Sequence, residues 1–335
     1  MEKKNILEIE SVYTANAFQI GKEAYVAAGS ETTPQVYLYN MCTGKSELVS
    51  GCPGGVMSFV PVPGKENVFY SIMGLFPPFI GAEGGLFMHI KHGEEWETSK
   101  AMKLPFAHRC DIINRDGKNY LFAVSVSKFK ENPADWSKPG EIYQINLDDK
   151  TGLPLIPKLI DSSITRNHGM LKAKVNGLET LCVSGAEGIF YFELKSNGIW
   201  VLSRLFDKEV SEFGLIDLDG DGQDELVTIE PFHGEHLNIY KKSEGEWKLI
   251  FGDTLSFGHG LSCGMFHGEP VIVVGNRRGS FTLDMFKPVD VKNGKFSRQV
   301  MEELAGPTQT QVFRVGDTDY ILSANQKQNL VALYK

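Results

Sequence analysis

Seven times along its 335 residues this chain repeats one pattern: an apolar run with strand-like alternation enters a tight turn and returns as a second run. The pairs are Ala17–Ala28 around Gly21, Val56–Ile72 around Pro63-Gly64, Cys110–Val126 around Asp116-Gly117 and Met170–Ser184 around Asn176-Gly177. They continue with Gly214–Ile229 around a longer acidic turn, Leu261–Gly275 around His267-Gly268 and Val312–Ala324 around Gly316-Asp317. Asp-Gly and Asn-Gly are the usual pairs for a two-residue hairpin, because both central residues must adopt positive φ.

A third run with alternating large residues follows in most units, as in Gln35–Tyr39, Glu141–Ile145, Gly188–Phe192 and His236–Tyr240. Several units end in an outer run, Gly198–Leu202 and Glu246–Ile250 among them. Sustained helical periodicity is absent. Four short antiparallel strands per unit, recurring every roughly 30–60 residues, predict the blades of a β-propeller. The last unit stops at Tyr334-Lys335 after three strands, and Ile6–Glu10 has no partner nearby in sequence. Pairing that segment beside the strand ending at Tyr334 closes the ring and removes an exposed sheet edge. The expectation is an all-β, seven-bladed propeller in which residues 1–335 form one domain and the N-terminal strand completes the last blade.

The formal net charge of −8 at pH 7 argues against nucleic acid or an anionic membrane as the main partner. No run of about 18 uninterrupted apolar residues is available to cross a bilayer. The richest segment, Ile72–Ile90, is broken by Pro77-Pro78, Glu83 and Gly84-Gly85. Met1–Glu8 lacks the apolar core of a signal peptide. Five scattered cysteines without a CxxC pair fit a reducing cytoplasm, with Cys110, Cys182 and Cys263 as buried thiols.

Three histidines recur in phase. His108, His168 and His259 each stand nine residues before a turn glycine, Gly117, Gly177 and Gly268. Equal spacing assigns them to one position, the head of a first strand, in three copies of the unit. In a propeller, such heads share a face with the connections between second and third strands. His233 and His236 of the Pro231–His236 loop join that face, with Arg109, Arg166, Arg277 and Arg278. Neutral imidazoles suit Zn²⁺, Mn²⁺ or Fe²⁺, so His108, His168 and His259 are the expected ligands of one catalytic ion. Gln309 is placed to add an amide oxygen, with Gln311 beside it, while Asn16, Gly54 and Gly55 leave an open sector in blades 1 and 2. The plainer alternative makes each histidine a turn residue. His89 and His92 read as solvated hairpin residues, and His267 belongs to the opposite face.

The fifth unit carries Asp217-Leu-Asp219-Gly-Asp221-Gly-Gln223-Asp-Glu225. Carboxylates at positions 1, 3 and 5, a carbonyl at 7 and an acid at 9 offer the hard oxygens that Ca²⁺ takes. This loop resembles the calcium loops of FG-GAP/VCBS-type propeller repeats, although it occurs in one blade only and ends in Glu225 where that family usually has Asp. The resemblance implies a structural Ca²⁺ held by Asp217, Asp219, Asp221, Gln223 and Glu225. A hydrogen-bonded turn without metal is the alternative.

A histidine-rich metal centre in a seven-bladed propeller also resembles, in architecture, the propeller-fold lyases of oligosaccharides and dehydratases of keto-sugars. That resemblance implies metal-assisted β-elimination on a sugar or sugar acid. His233 or His236 would remove the proton, and Arg109, Arg166, Arg277 and Arg278 would hold the carbohydrate. Two other functions use the same surface. One is a non-enzymatic propeller presenting the Phe76–Phe79 and Trp136 loops to a ligand or protein. The other is a metal-dependent glycoside or ester hydrolase. No nucleophile elbow, phosphate loop or dinucleotide fingerprint appears.

Overall fold

The computed structural model describes all 335 residues. They form seven four-stranded antiparallel sheets, the blades of a β-propeller. Six blades take their strands in chain order. The seventh runs Lys3–Glu8, Leu330–Tyr334, Thr318–Asn325 and Pro307–Val315, so the N-terminal strand supplies its fourth member. Lys3 lies opposite Tyr334 and Asn5 opposite Ala332. Compared with the expected Ile6–Glu10, this strand is displaced toward the N-terminus. Ile9 is fully buried and begins the turn into blade 1, its carbonyl accepting the Val12 N–H at 3.2 Å.

The chain divides into two compact units, Met1–Ala15 with Glu209–Lys335 and Asn16–Lys208. In the first, Val227, Ile229, Ile272, Val274 and Phe286 form one core cluster, and Phe266, Val273, Met285 and Ile321 another. In the second, Val56, Phe69 and Trp96 anchor one cluster, and Phe122, Leu181, Phe192 and Trp200 another. These residues come from alternating positions of neighbouring blades, each fully buried one contributing about 1.5–3 kcal/mol. No helix is long and apolar enough to cross a membrane.

The first strands of blades 1 to 7 are Val12–Ile20, Ser58–Pro61, Ala107–Arg115, Met170–Val175, Glu212–Ile216, Gly258–Phe266 and Pro307–Val315. Within each unit they pack on one another. Ala107–Arg115 touches Ser58–Pro61 and Met170–Val175, and Gly258–Phe266 touches Glu212–Ile216 and Pro307–Val315. They are therefore the inner strands. The phased turns share one geometry: Asp116 and Gly117, Asn176 and Gly177, and His267 and Gly268 all have positive φ. Such pairs make a two-residue turn whose twist matches the flanking strands, which accounts for the equal spacing.

Blade 1 departs from the expectation. Its first strand begins at Val12, not near Ala17, because Ser11 takes φ +48° and closes a turn without glycine. The sector left to Asn16 is therefore filled by Tyr13 and Thr14, both buried.

Candidate functional site

Three inner strands open on a β-bulge. In blade 3, Ala107 pairs with Ser125 and Arg109 with Val124, leaving His108 without an opposite residue. In blade 6 the register shifts between Gly258 and Leu261, across His259 and Gly260. In blade 7 it shifts between Pro307 and Thr310, across Thr308 and Gln309. A bulge turns its extra residue away from the ladder and re-aims the side chain.

Both re-aimed histidines make the same bond. His108 Nδ1 lies 3.0 Å from the carbonyl oxygen of His168, and His259 Nδ1 lies 2.7 Å from that of Thr308. A carbonyl only accepts, so Nδ1 carries the proton in each ring and Nε2 holds the lone pair of the neutral imidazole. Blade 3 is thereby tied to blade 4, and blade 6 to blade 7. This stitch is one physical content of the phased position, and both rings are almost wholly buried.

In the unit Asn16–Lys208, the rings of His108 and His168 lie 4.2 Å apart at 33°. His168 is held at the head of blade 4, where its N–H donates to Ser184 O at 3.0 Å. Arg109 is buried and its Nη1 donates to Met57 O at 2.9 Å, tying blade 3 to blade 2. It serves the scaffold here instead of facing a ligand. Arg166 is half-buried with φ +53°, two residues before His168.

In the other unit, His259 Nε2 lies 3.0 Å from the Tyr13 hydroxyl, the two rings nearly perpendicular at 83°. Because neutral Nε2 accepts, Tyr13 donates. His233, in a half-buried loop with φ +50°, stacks on His259 at 5.1 Å and on Phe232 at 3.9 Å. Arg277 lies 5.7 Å from the Tyr13 ring and donates to Gln326 Oε1; Arg278 lies 4.7 Å from the Phe257 ring. Thr308 Oγ1 donates to Tyr13 O at 2.6 Å. Gln309 was expected to offer its amide oxygen to a metal, but that oxygen accepts from Thr14 Oγ1 at 2.5 Å. His236 opens the exposed edge of the strand His236–Ser243, opposite Glu230 and Thr254.

The remaining histidines divide. His92 is exposed, as expected, and so is His267. His89 corrects the expectation of a solvated residue: it is fully buried, between Ser71 Oγ at 2.8 Å and Thr98 Oγ1 at 2.9 Å, and stacks on Phe69 at 4.2 Å. Burial pushes its pKa down to about 3. Among the cysteines, Cys110 and Cys182 are buried and Cys263 is partly so. Burial pushes the Cys182 and Cys263 thiols up to about 12.

Away from the histidines, Phe79 and Trp136 meet edge to face at 4.7 Å, and Lys130 Nζ lies 3.1 Å from the Trp136 ring centre. The aromatic surface expected to receive a partner is thus filled by a cation of the same chain. A cavity of about 540 Å³ opens on the turn side of blades 3 and 4, lined by Arg115, Asp116, Asn176, Tyr191 and Lys195; none of the expected site residues borders it. In the blade 5 acidic loop, Lys241 Nζ lies 2.7–2.8 Å from oxygens of Asp219, Asp221 and Glu225. An ammonium group thus stands where the resemblance implies Ca²⁺, and the site does not fit that ion.

No protein-family model and no curated protein matches this sequence. Solved structures resemble it in fold. One is a Bacteroides uniformis protein provisionally described as a 6-phosphogluconolactonase, with TM-score 0.59, 12% identity, and coverage of 97% of this chain and 91% of that one. The Cps50 (Swd1) β-propeller domain of Myceliophteria thermophila gives TM-score 0.61 and 7% identity over 98% and 97% of the two chains. The Dos1 propeller gives 0.57 and 8% over 97% and 77%. At these identities the likeness is one of fold alone.

Proposed function

We propose that His233 and His259 hold one divalent transition ion and that the protein acts on a sugar or sugar acid by β-elimination. Their rings stack at 5.1 Å in the unit that also holds Tyr13. The observation that carries the reading is the fixed tautomer of His259. An imidazole whose Nδ1–H is held by a backbone carbonyl presents Nε2 as a ligand in a set orientation, the usual outer-sphere arrangement of metal-binding histidine. His108 and His168, expected in the ligand set, belong to the other compact unit, where their rings lie 4.2 Å apart.

A neutral imidazole donor set favours Zn²⁺, Mn²⁺ or Fe²⁺. When bound, such an ion supplies Lewis acidity to a substrate carboxylate or ketone oxygen. With an ion held, the Tyr13 hydroxyl, which donates to His259 Nε2 at 3.0 Å, would instead serve as the acid that protonates the leaving group. In the elimination, the His236 imidazole would take the proton alpha to the carbonyl, and the C–H pair would form the double bond. The β-substituent would leave with its bonding pair and take the Tyr13 hydroxyl proton, which His236 returns through solvent. Arg277 and Arg278, on the rings of Tyr13 and Phe257, hold the acidic sugar.

The test is appearance of an unsaturated, ultraviolet-absorbing product from sugar acids and polyuronides supplied with Mn²⁺ or Zn²⁺. Product should vanish with chelator and in His259→Ala. Product that survives loss of the histidines contradicts the reading. A non-enzymatic binding propeller is the second reading. It rests on the exposed apolar side chains Phe79, Ile80 and Phe129 beside the Trp136 loop.

A further inference from the structure

The acidic loop of blade 5 joins Glu212–Ile216 to Glu225–Glu230 and divides its carboxylate oxygens in a regular way. Asp217 points both oxygens at backbone N–H groups, Gly220 at 2.7 Å and Gly222 at 2.9 Å. The other three acids each give one oxygen to a backbone N–H of the loop and turn the other toward a common point. Asp219 accepts from Asp221 N at 3.3 Å, Asp221 from Gln223 N at 2.8 Å, and Glu225 from Leu218 N at 2.8 Å. Their second oxygens converge on Lys241 Nζ at 2.8, 2.8 and 2.7 Å.

An ammonium has three N–H donors, and here each meets one carboxylate. Ca²⁺ asks for something different, six to eight oxygens at about 2.3–2.6 Å. The loop turns three side-chain oxygens toward its centre and uses the rest on its own backbone. Lys241 arrives from the neighbouring strand His236–Ser243, paired with the strand that Glu225 opens. Burial opposes its charge, but the three carboxylates outweigh it and hold its pKa above the ordinary lysine range. Burial likewise pushes the Glu225 carboxyl up, while Lys241 and the Leu218 N–H pull it down.

We infer that the Lys241 ammonium is the resident cation of this loop, standing in for the calcium that its sequence resembles, so that the hairpin folds independently of calcium. The loop is then a calcium motif with a built-in counter-ion. Replacing Lys241 by an uncharged residue should expose the latent site, because three acids are left facing one another.

Thermal unfolding of the full chain in chelator and in millimolar CaCl₂ tests this, with calcium binding followed by calorimetric titration. The native protein should show the same midpoint in both and no heat of binding. Lys241→Met should melt several degrees lower in chelator, bind one Ca²⁺ per chain, and regain much of the loss when calcium is added. The inference is overturned if the native protein is stabilised by calcium and Asp219→Asn removes that effect. It is also overturned if Lys241→Met loses no stability and binds no calcium. Should that variant fail to fold under either condition, the native titration alone decides.

Discussion

The heads of blades 3 and 6 use one bond for two purposes. His108 and His259 both donate Nδ1–H to a carbonyl of the next blade, at 3.0 and 2.7 Å. They differ in what else touches the ring. His108 lies against the imidazole of His168, whereas His259 lies against the Tyr13 phenol and His233. The receiving residue differs too: His168 in blade 4, Thr308 in blade 7, where the threonine hydroxyl continues to Tyr13 O. A repeat therefore fixes a backbone role at one position, and chemistry is added where a neighbouring element brings a second polar group to the same nitrogen.

The largest way to break this comparison is to remove a receiving blade. Deleting residues 1–8 strips the outer strand from blade 7, with the Lys3–Glu302 ion pair at 2.5 Å, and leaves blade 4 intact. Cooperative thermal unfolding should be lost or shifted steeply downward, and limited proteolysis should begin in Pro307–Tyr334. Unchanged melting contradicts the closure. Next come the two histidines themselves. His108→Ala and His259→Ala each leave a buried carbonyl unmet, a cost of about 1–3 kcal/mol. His259→Ala should cost more in urea unfolding, because it also strands the Tyr13 hydroxyl. Equal losses would show that this hydrogen bond contributes little.

His89 supplies the contrast of a histidine buried without the stitch. Its pKa is about 3 in the folded chain, against ~6.5 unfolded. Between those values the unfolded chain binds more protons, so stability falls as pH drops below ~6.5, by up to about 1.4 kcal/mol per unit. Urea midpoints across that window should flatten in His89→Gln. Tyr13→Phe should have the smallest effect on folding, about 0.5–1.5 kcal/mol for one hydrogen bond. It sharpens the comparison nonetheless: freeing the His259 lone pair should raise affinity for added Zn²⁺ in a calorimetric titration.

The strand–turn–strand periodicity made blade number and closure legible, because Asp116-Gly117 and Asn176-Gly177 announce their turns. It failed where a turn carries no such marker. Ser11 takes positive φ as an ordinary serine, so the turn pattern starts blade 1 too late and misses Tyr13. Phase alone found His108, His168 and His259, yet it could not separate a stitching N–H from a ligand lone pair, since both come from one ring. His89 looked solvated by its hairpin position. The alternation of Phe87, His89 and Lys91 sets His89 on one face of the strand, but nothing in sequence reports that Phe69 and Trp96 cover it. Lys241 was equally hidden, sixteen residues beyond Glu225 and brought back only by strand pairing.

The shared-ion proposal is tested most directly by elemental analysis of protein purified without a metal-affinity column, native and variant side by side. The account predicts close to one zinc, manganese or iron per native chain. That metal should be lost in His233→Ala and His259→Ala and retained in His108→Ala, with all three remaining folded. A metal content unaffected by the first two substitutions, or native protein that takes up none of these ions on titration, would contradict it.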